Sequence, residues 1–501
     1  MMTLTGERMR RNGPVAAILL LGFALRLIRL DARYIWYDEA FSILYSGKRL
    51  AAILYGTIAQ VDGAAADVHP LGYYFLLHFW QAVFGDSVFA VRFLSVVAGM
   101  LSIALVLVVT RELFGMKVAL AGTLITALAP FHISYSQEAR MYSLLTLWTL
   151  LMAWFFVRAA RGRTWGEWAG FIMAGALCLY TQNLAFLYVL ALDFWVLLTR
   201  RWRLFRPLVV SHLGMAVLFL PWLILLPNQF GKVRQAYWVE VPGAAELART
   251  VICFTFNLPV PSWVLPAAVA LSVCLLVLTL YRALRVVGLS DALSLVFMLS
   301  FAPIAVLFLL SQFKSIYIIR GLLPAAVAYY ALLAAVWVGI RVPLRLIGAA
   351  VAPFVCVAVI SLQAHYTYAS FPRSPYPELV RFLRAQYREG DVIVHDNKLT
   401  MFPAYYYDPS LPQEYIPDPP GSGSDTLALP TQEALGLLAV PLDRVTEGCS
   451  RLWFIIFQRA IDEYRVMGKE GHPDKMWLDA RYELVGRWVF NDMDVYLYDL
   501  R

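Results

Sequence analysis

Long apolar runs separated by short basic or mixed segments dominate the first 363 positions of the chain. A bilayer crossing takes about 20 mostly apolar residues. Such runs fall near 14–30, 88–110, 118–131, 143–157, 166–180, 184–199, 208–227, 261–281, 292–311, 321–340 and 346–363, so the pattern predicts about eleven transmembrane helices. Residues 70–84 are apolar but short, open with His69-Pro70 and contain His78; they predict a helix lying on the outer membrane surface. Beyond Ala364 the pattern changes. Pro377 to Tyr387 has helical spacing, Asp391 to His395 and Leu452 to Phe457 read as strands, and Tyr482 to Phe490 with Val495 to Asp499 as a closing pair. Pro409 to Pro430, rich in Pro, Gly and Ser, reads as a mobile loop. The expected division is a mainly α, polytopic membrane part, 1–363, with a first outer loop at about 31–87, and a small α/β domain, 364–501.

Composition supports this division. Of 501 residues, 60% are hydrophobic and 15% charged, which excludes a soluble globular enzyme, where about 25% would be charged. The net charge of +8 would suggest nucleic acid as the partner of a soluble protein, but its location argues otherwise. Through Ala364 there are 28 basic and 14 acidic residues, and beyond it 14 and 20. The basic excess belongs to the apolar part, as membrane topology requires, and no nucleic-acid partner is expected.

With the N-terminus in the cytoplasm and 70–84 not spanning, the basic clusters Arg111–Lys117, Arg158–Arg163, Arg200–Arg206, Arg282–Arg285 and Arg341–Arg345 all fall inside. Counting 70–84 as a span would put them outside. Arg8, Arg10 and Arg11 ahead of an apolar run resemble a signal sequence without a cleavage site, which predicts a retained first helix. The expectation is a multi-pass protein of the cell (inner or plasma) membrane, with its C-terminal domain extracytoplasmic. Of the five cysteines, Cys178, Cys274 and Cys356 lie in apolar runs and are expected to be buried, and no zinc spacing or disulfide framework is present.

This topology gathers the chemically capable residues outside. Tyr37-Asp38-Glu39 follows the first helix: two adjacent carboxylates among aromatics, where desolvation can create a base, although the same residues could cap a helix. His69, before Pro70, can donate to a phosphate or contact a helix N-terminus. Glu138, Arg140 and Tyr142 supply an acceptor, a bidentate phosphate donor and a hydroxyl, or form an ordinary boundary helix. Lys314 and Arg320 stand outside, against the positive-inside trend, where a lipid phosphate or simple headgroup contact would balance them. Within spans, Arg92 and Asp193 should face the interior or a cavity. Lys232, Arg234, Tyr237 and Trp238 could touch a substrate or anchor their loop; Asp391, His395, Asp396 and Asn397 read as strand-end and turn residues rather than catalytic ones.

Five segments occur together in order: YDEA (Tyr37 to Ala40), HPLGYYFLLHFW (His69 to Trp80), FAVRFLSVVAG (Phe89 to Gly99) with RELFG (Arg111 to Gly115), SQEARMYSLL (Ser136 to Leu145) and IIRGLLP (Ile318 to Pro324). Together they resemble the GT-C superfamily of polytopic glycosyltransferases, specifically bacterial family 39, which is similar to protein O-mannosyltransferases and the lipid A aminoarabinose transferase. The resemblance covers about residues 14 to 340. It departs from the family at Pro70-Leu71, where two prolines are common, and at Arg320-Gly321, where Arg-Tyr is common.

The resemblance implies a GT-C fold and transfer of a sugar from a polyprenyl-phosphate carrier to a protein, lipid or glycan hydroxyl on the outer face, with inversion. It makes Asp38 the candidate general base and Glu39 its support or a substrate ligand. His69, Arg140, Lys314 and Arg320 become candidate phosphate ligands, with Glu138 and Tyr142 on the acceptor or sugar side. Outer cations could neutralise the leaving phosphate without metal, while a divalent ion bridging Asp38 and Glu138 is the option suggested by GT-C relatives using lipid diphosphates. The alternative function is a transporter or flippase of lipid-linked sugars, which would favour polar groups near mid-membrane and broken, paired helices.

Overall fold

The structure is a computed structural model that describes residues 2–61, 64–162, 164–235, 239–340, 343–418 and 427–501. Its first half opens with α1 (Met2–Leu27), followed by the short outer-loop helices α2 (Tyr37–Ser46) and α3 (Leu50–Ile58), a two-residue strand pair β1 (Gln60–Val61) and β2 (Ala64–Ala65), and α4 (Gly72–Phe84). Helices α5 (Val88–Phe114), α6 (Met116–Leu128), α7 (Pro130–Ser136), α8 (Tyr142–Ala160), α9 (Trp165–Thr181), α10 (Phe186–Leu198) and α11 (Phe205–Leu223) come next. After α12 (Leu226–Gln235) and α13 (Ala244–Phe256), the long apolar helices α14 (Leu265–Tyr281), α15 (Asp291–Phe313), α16 (Leu323–Trp337) and α17 (Leu344–Thr367) complete the membrane part.

Seven described helices are long and apolar enough to cross a bilayer, and α6 with α7 forms an eighth candidate bent by 60°. The bend has a local cause: Ala129 precedes Pro130, whose ring disfavours the helical conformation at the residue before it, and Ala129 is extended at ψ 117. The other three predicted spans are helical at the expected places: α1 is apolar only over Gly13–Leu27, and α9 and α10 are 17 and 13 residues long. At 13 residues, α4 is roughly 20 Å long and too short to cross, as expected.

Helices α8 and α16 are buried at the centre of the bundle, whereas α11, α14 and α17 present large apolar side chains such as Val217, Val277 and Val355 outward, the surface that lipid covers. Cys274 and Cys356 lie on this exposed surface, contrary to the sequence expectation; Cys178 is buried. Basic residues in and between these helices pair with nearby acids: Arg161 donates to Glu112 at 3.0 Å, Arg158 to Glu167 at 2.8 Å, and Arg201 pairs with Asp291.

The C-terminal domain contains α18 (Tyr376–Gln386), β3 (Asp391–His395), α19 (Lys398–Tyr407), β4 (Gln413–Tyr415), α20 (Leu429–Leu435), α21 (Leu442–Val445), β5 (Arg451–Phe457), α22 (Gln458–Val466), α23 (Pro473–Asp479), β6 (Glu483–Phe490) and β7 (Met493–Asp499). The sheet order is β4-β3-β5-β7-β6, with β4, β3 and β5 parallel and β7 antiparallel to both of its neighbours. Every residue of β3 is buried, as a central parallel strand covered on both faces requires. The predicted loop Pro409–Pro430 contains β4, a three-residue strand too short to show a period, and the start of α20; residues 419–426 lie outside the described residues.

This domain sits directly on the first outer loop. The Phe402 ring on α19 lies 5.7 Å from that of Tyr37 and stacks at 6.5 Å on that of Phe41. The Ile35 amide donates to the Tyr407 hydroxyl at 3.0 Å. On the neighbouring helix Thr431 donates to the Gly56 carbonyl at 2.7 Å, and a Cβ at Gly56 would come 2.7 Å from that of Ala434, so glycine permits this approach.

Candidate active site

A cavity of about 1390 Å³ opens between one end of the membrane helices and the C-terminal domain. Asp38, His69, Arg140, Tyr142, Lys314 and Arg320 all line it, so six of the eight residues singled out in the sequence converge. They come from four separate stretches of the chain, and helix ends bring them together. The apolar bodies of the helices need burial or lipid, leaving their polar terminal residues to meet at the rim.

Asp38 occupies the first turn of α2, where a carboxylate complements the helix dipole. Its side chain does not cap the helix. Instead Asp38 Oδ2 accepts from Arg320 Nη1 at 2.6 Å and lies 3.7 Å from Arg140 Nη2. Arg140 also donates to the Asp38 main-chain oxygen at 3.2 Å and to Ser42 Oγ at 2.9 Å. The Arg320 guanidinium lies over the Trp36 and Tyr142 rings, 5.8 and 5.5 Å from their centroids. Burial pushes the Asp38 carboxyl up, but Arg320, Arg140 and His69 together outweigh it, holding the group below its ordinary range and therefore ionised.

His69 is oriented from behind by Asp67, whose Oδ1 lies 2.9 Å from Nδ1 and also accepts from the Val68 amide at 2.6 Å. Burial raises the Asp67 carboxyl, and the His69 ring and the two amides more than reverse this. An ionised carboxylate only accepts, so Nδ1 carries the proton here and Nε2 is left for other contacts.

Glu39 and Glu138 are not among the residues that line the cavity. Glu39 is fully buried, and its oxygens take two 2.8 Å hydrogen bonds from Arg92, one from the Ala139 amide at 2.9 Å, and one from Arg373. Burial raises its carboxyl, but Arg92 and Arg373 drive it far below the ordinary range. Glu138 accepts from Arg373 Nη2 at 2.8 Å. Here burial dominates, and its carboxyl is raised. Both acids therefore belong to a layer beneath Asp38.

Arg373 escaped the sequence reading. It follows α17 in a Ser/Pro-rich turn, is 4% exposed, and lies under Trp36 at 5.2 Å from the ring centroid. Nothing in its neighbourhood marks it. Arg92 was flagged as a charge inside a span, and Glu39 is the partner that could not be assigned; Asp193 is 3.4 Å from His212. Asp396 and Asn397, read from sequence as ordinary strand-end residues, also line the cavity, as does Lys398. Tyr237 and Trp238, and the side chains of Lys232 and Arg234, lie outside the described residues.

The residues do not fit the bridging metal considered above. Asp38 faces two guanidinium groups and Glu138 a third, and among the described residues no group of three or more His, Cys, Asp or Glu side chains converges as a metal site would require.

Comparison with known proteins agrees with this architecture. Residues 68–225 match the family described as dolichyl-phosphate-mannose-protein mannosyltransferase. Over 225 residues, 43% of this chain, the sequence is 27% identical to an undecaprenyl phosphate-alpha-4-amino-4-deoxy-L-arabinose arabinosyl transferase from Edwardsiella ictaluri. That match spans only 40% of the relative's length. The fold matches that of ArnT from Cupriavidus metallidurans bound to undecaprenyl phosphate, with a TM-score of 0.61 and 14% identity over 97% of this chain and 98% of that one. The Archaeoglobus fulgidus oligosaccharyltransferase in its apo form gives a TM-score of 0.55 and 12% identity, over 94% of this chain and 72% of that one. By its apolar helices the chain is a multi-pass membrane protein, and its fold is that of these two structures; over part of its length its sequence is similar to the O-mannosyltransferase family and to the aminoarabinose transferase.

Proposed function

We propose that this protein is a membrane glycosyltransferase that moves a sugar from a polyprenyl-phosphate carrier onto an acceptor hydroxyl at the extracytoplasmic face. The observation that carries this reading is the ionised Asp38 held against Arg320 and Arg140 in a cavity at the membrane surface. It combines a base with cations suited to a phosphate, and two of the proteins named above, the arabinosyl transferase and ArnT, carry undecaprenyl phosphate in their description or structure.

In this mechanism the donor phosphate enters beside Arg320, Arg140, Lys314 and His69 and competes with Asp38 for the guanidinium groups. Asp38, loosened from its ion pairs, accepts the proton of the acceptor hydroxyl. The acceptor oxygen forms a bond to the anomeric carbon as the bond to the phosphate oxygen breaks from the opposite side, which inverts that carbon. The electron pair departs with the phosphate, where the cations stabilise the developing second charge. Tyr142 keeps Arg320 in place from below. Glu39 and Glu138 fix the α2 backbone and the turn that carries Arg140.

The basic loops support a cytoplasmic N-terminus, eleven spans counting the three shorter helices, and a C-terminal domain outside the cell membrane. The test is mass analysis of products formed by purified protein with a polyprenyl-phosphate sugar and native membrane acceptors. A new glycosidic bond that disappears in Asp38→Asn, while donor binding persists, is the expected result. Full turnover in that variant overturns the base assignment. Movement of the lipid-linked sugar between leaflets without a new bond overturns the enzyme reading in favour of a flippase.

A further inference from the structure

The wall of the cavity opposite the membrane is built by the C-terminal sheet at a particular place. From β3 the chain passes through α19 to β4 on one side, and from β4 it crosses back to β5 on the other side of β3. The connections leaving the carboxyl ends of β3 and β5 therefore diverge. In open α/β sheets this divergence opens a crevice at the strand ends, and ligands bind there. In this protein the crevice is part of the cavity that holds Asp38: Asp396, Asn397 and Lys398 line it after β3, and Phe457 and Tyr464 after β5. The link to Asp38 is short, because α19, which starts at Lys398, packs through Phe402 on Tyr37 of α2.

The chemistry of this wall differs from that of the membrane side. The membrane side carries Arg140, Arg320 and Lys314 against the acids Asp38 and Asp67, whereas the wall carries the acids Asp396, Asp418, Glu463 and Asp474 against Lys398 and Lys469, with Lys398 already paired to Asp418, so cations outnumber acids on the first and acids outnumber cations on the second. A phosphate is drawn to the first and repelled by the second. The wall also has a polar atom awaiting a partner. His472 is 8% exposed, lines the cavity, and its Nδ1 has no hydrogen-bond partner among the described residues, the nearest carboxylate oxygen being 3.8 Å away on Asp474. Buried polar atoms are nearly always satisfied, so this one is suited to a ligand hydroxyl or amine. Asp396 is 6% exposed and accepts from Thr400 at 3.0 Å and Asn397 at 2.9 Å. Burial pushes its carboxyl up to about 7, so near neutral pH it both donates and accepts. The Tyr464 ring stands beside these groups, 4.9 Å from the His472 ring centroid and with Lys469 Nζ over its face.

We propose that the strand-end crevice of the C-terminal domain is the acceptor subsite, binding a carbohydrate that is neutral or carries an amine, so that its hydroxyl faces Asp38 while the donor phosphate stays on the membrane side. The proposal rests on the glycosyltransferase reading for its place in a reaction, but the site itself is testable without turnover.

The experiment uses the full chain in lipid nanodiscs saturated with undecaprenyl phosphate, so that the cationic side is filled. Binding of the methyl glycosides of glucose, galactose, mannose and glucosamine is followed by saturation-transfer NMR. At least one glycoside is expected to bind, and to bind about tenfold more weakly in His472→Gln and in Asp474→Asn, the latter at a partly exposed position where folding is not at stake. Octyl glycosides binding more tightly than the methyl ones indicate a lipid-borne sugar as the natural acceptor, and equal binding a soluble glycan; both support the site. Absence of binding by every glycoside, or unchanged binding in both variants, overturns it. Glycoside binding in a protein that forms no glycosidic bond would instead sink the transferase reading and leave the carbohydrate site standing.

Discussion

Arg92 grips Glu39 through two parallel hydrogen bonds, Nε to Oε1 and Nη2 to Oε2, both 2.8 Å long, with neither side chain exposed to solvent. Breaking a buried pair by removing one partner costs about 3–5 kcal/mol when the other charge is left alone, and here Arg373 remains beside Glu39, so the cost falls toward the lower end of that range. Arg92→Leu should therefore lower the thermal midpoint and the folded yield of purified protein far more than Arg158→Leu, whose pair with Glu167 is partly exposed. Similar losses in the two variants would contradict a structural role for the buried pair.

Arg373 donates to Glu39 and Glu138 together. A lysine carries the charge but not the fork that serves two acids. Arg373→Lys should reduce kcat about tenfold, by loosening the layer on which Asp38 and Arg140 are mounted, while leaving the donor KM nearly constant. A rise in donor KM at constant kcat would mean that Arg373 contacts the substrate instead.

Because Asp38 and the donor phosphate compete for Arg320, the two obvious variants should part company in binding assays. Arg320→Lys should weaken undecaprenyl phosphate binding about tenfold. Asp38→Asn should bind it as tightly as the wild type or more so, although it does not turn over. Isothermal titration into nanodiscs distinguishes the two, and equal weakening in both would refute competition.

The same competition sets the pH profile. In the free protein Asp38 sits below its ordinary value, so it is ionised above pH 4 and the stabilisation it gains from the arginines is present there, fading only as pH falls through the depressed value. Once phosphate occupies the guanidinium groups, that depression is relieved and the carboxyl rises. The acid limb of kcat, which reports the complex, should then lie at higher pH than the acid limb of kcat/KM, which reports the free enzyme. Coincident limbs would argue against displacement of Asp38 from its ion pair.

Much of this architecture is legible in the chain because it follows from solvent. Apolar runs must be helical and buried or in lipid, so the membrane helices appear where hydropathy puts them, and DVIVH becomes β3 without adjustment. Asp38, Arg140 and Arg320 stand out because charges next to apolar runs have few harmless explanations. Arg92 stood out in the same way, yet its partner lies 53 positions away, and no periodicity connects the two. Arg373 was invisible because a single arginine in a polar turn is commonplace, and only the packing of the C-terminal domain buries it. Asp396 looked like a turn residue and is one; what sequence pattern lacks is the direction in which that strand end points.

The Arg373 arm has a consequence for biogenesis. Arg373 lies 235 positions beyond Glu138, so a ribosome-bound chain with most of its helices already made still has Glu138 awaiting that charge, while Glu39 has only Arg92. The constellation is completed only when the turn beyond α17 has been made and the C-terminal domain has folded down upon it.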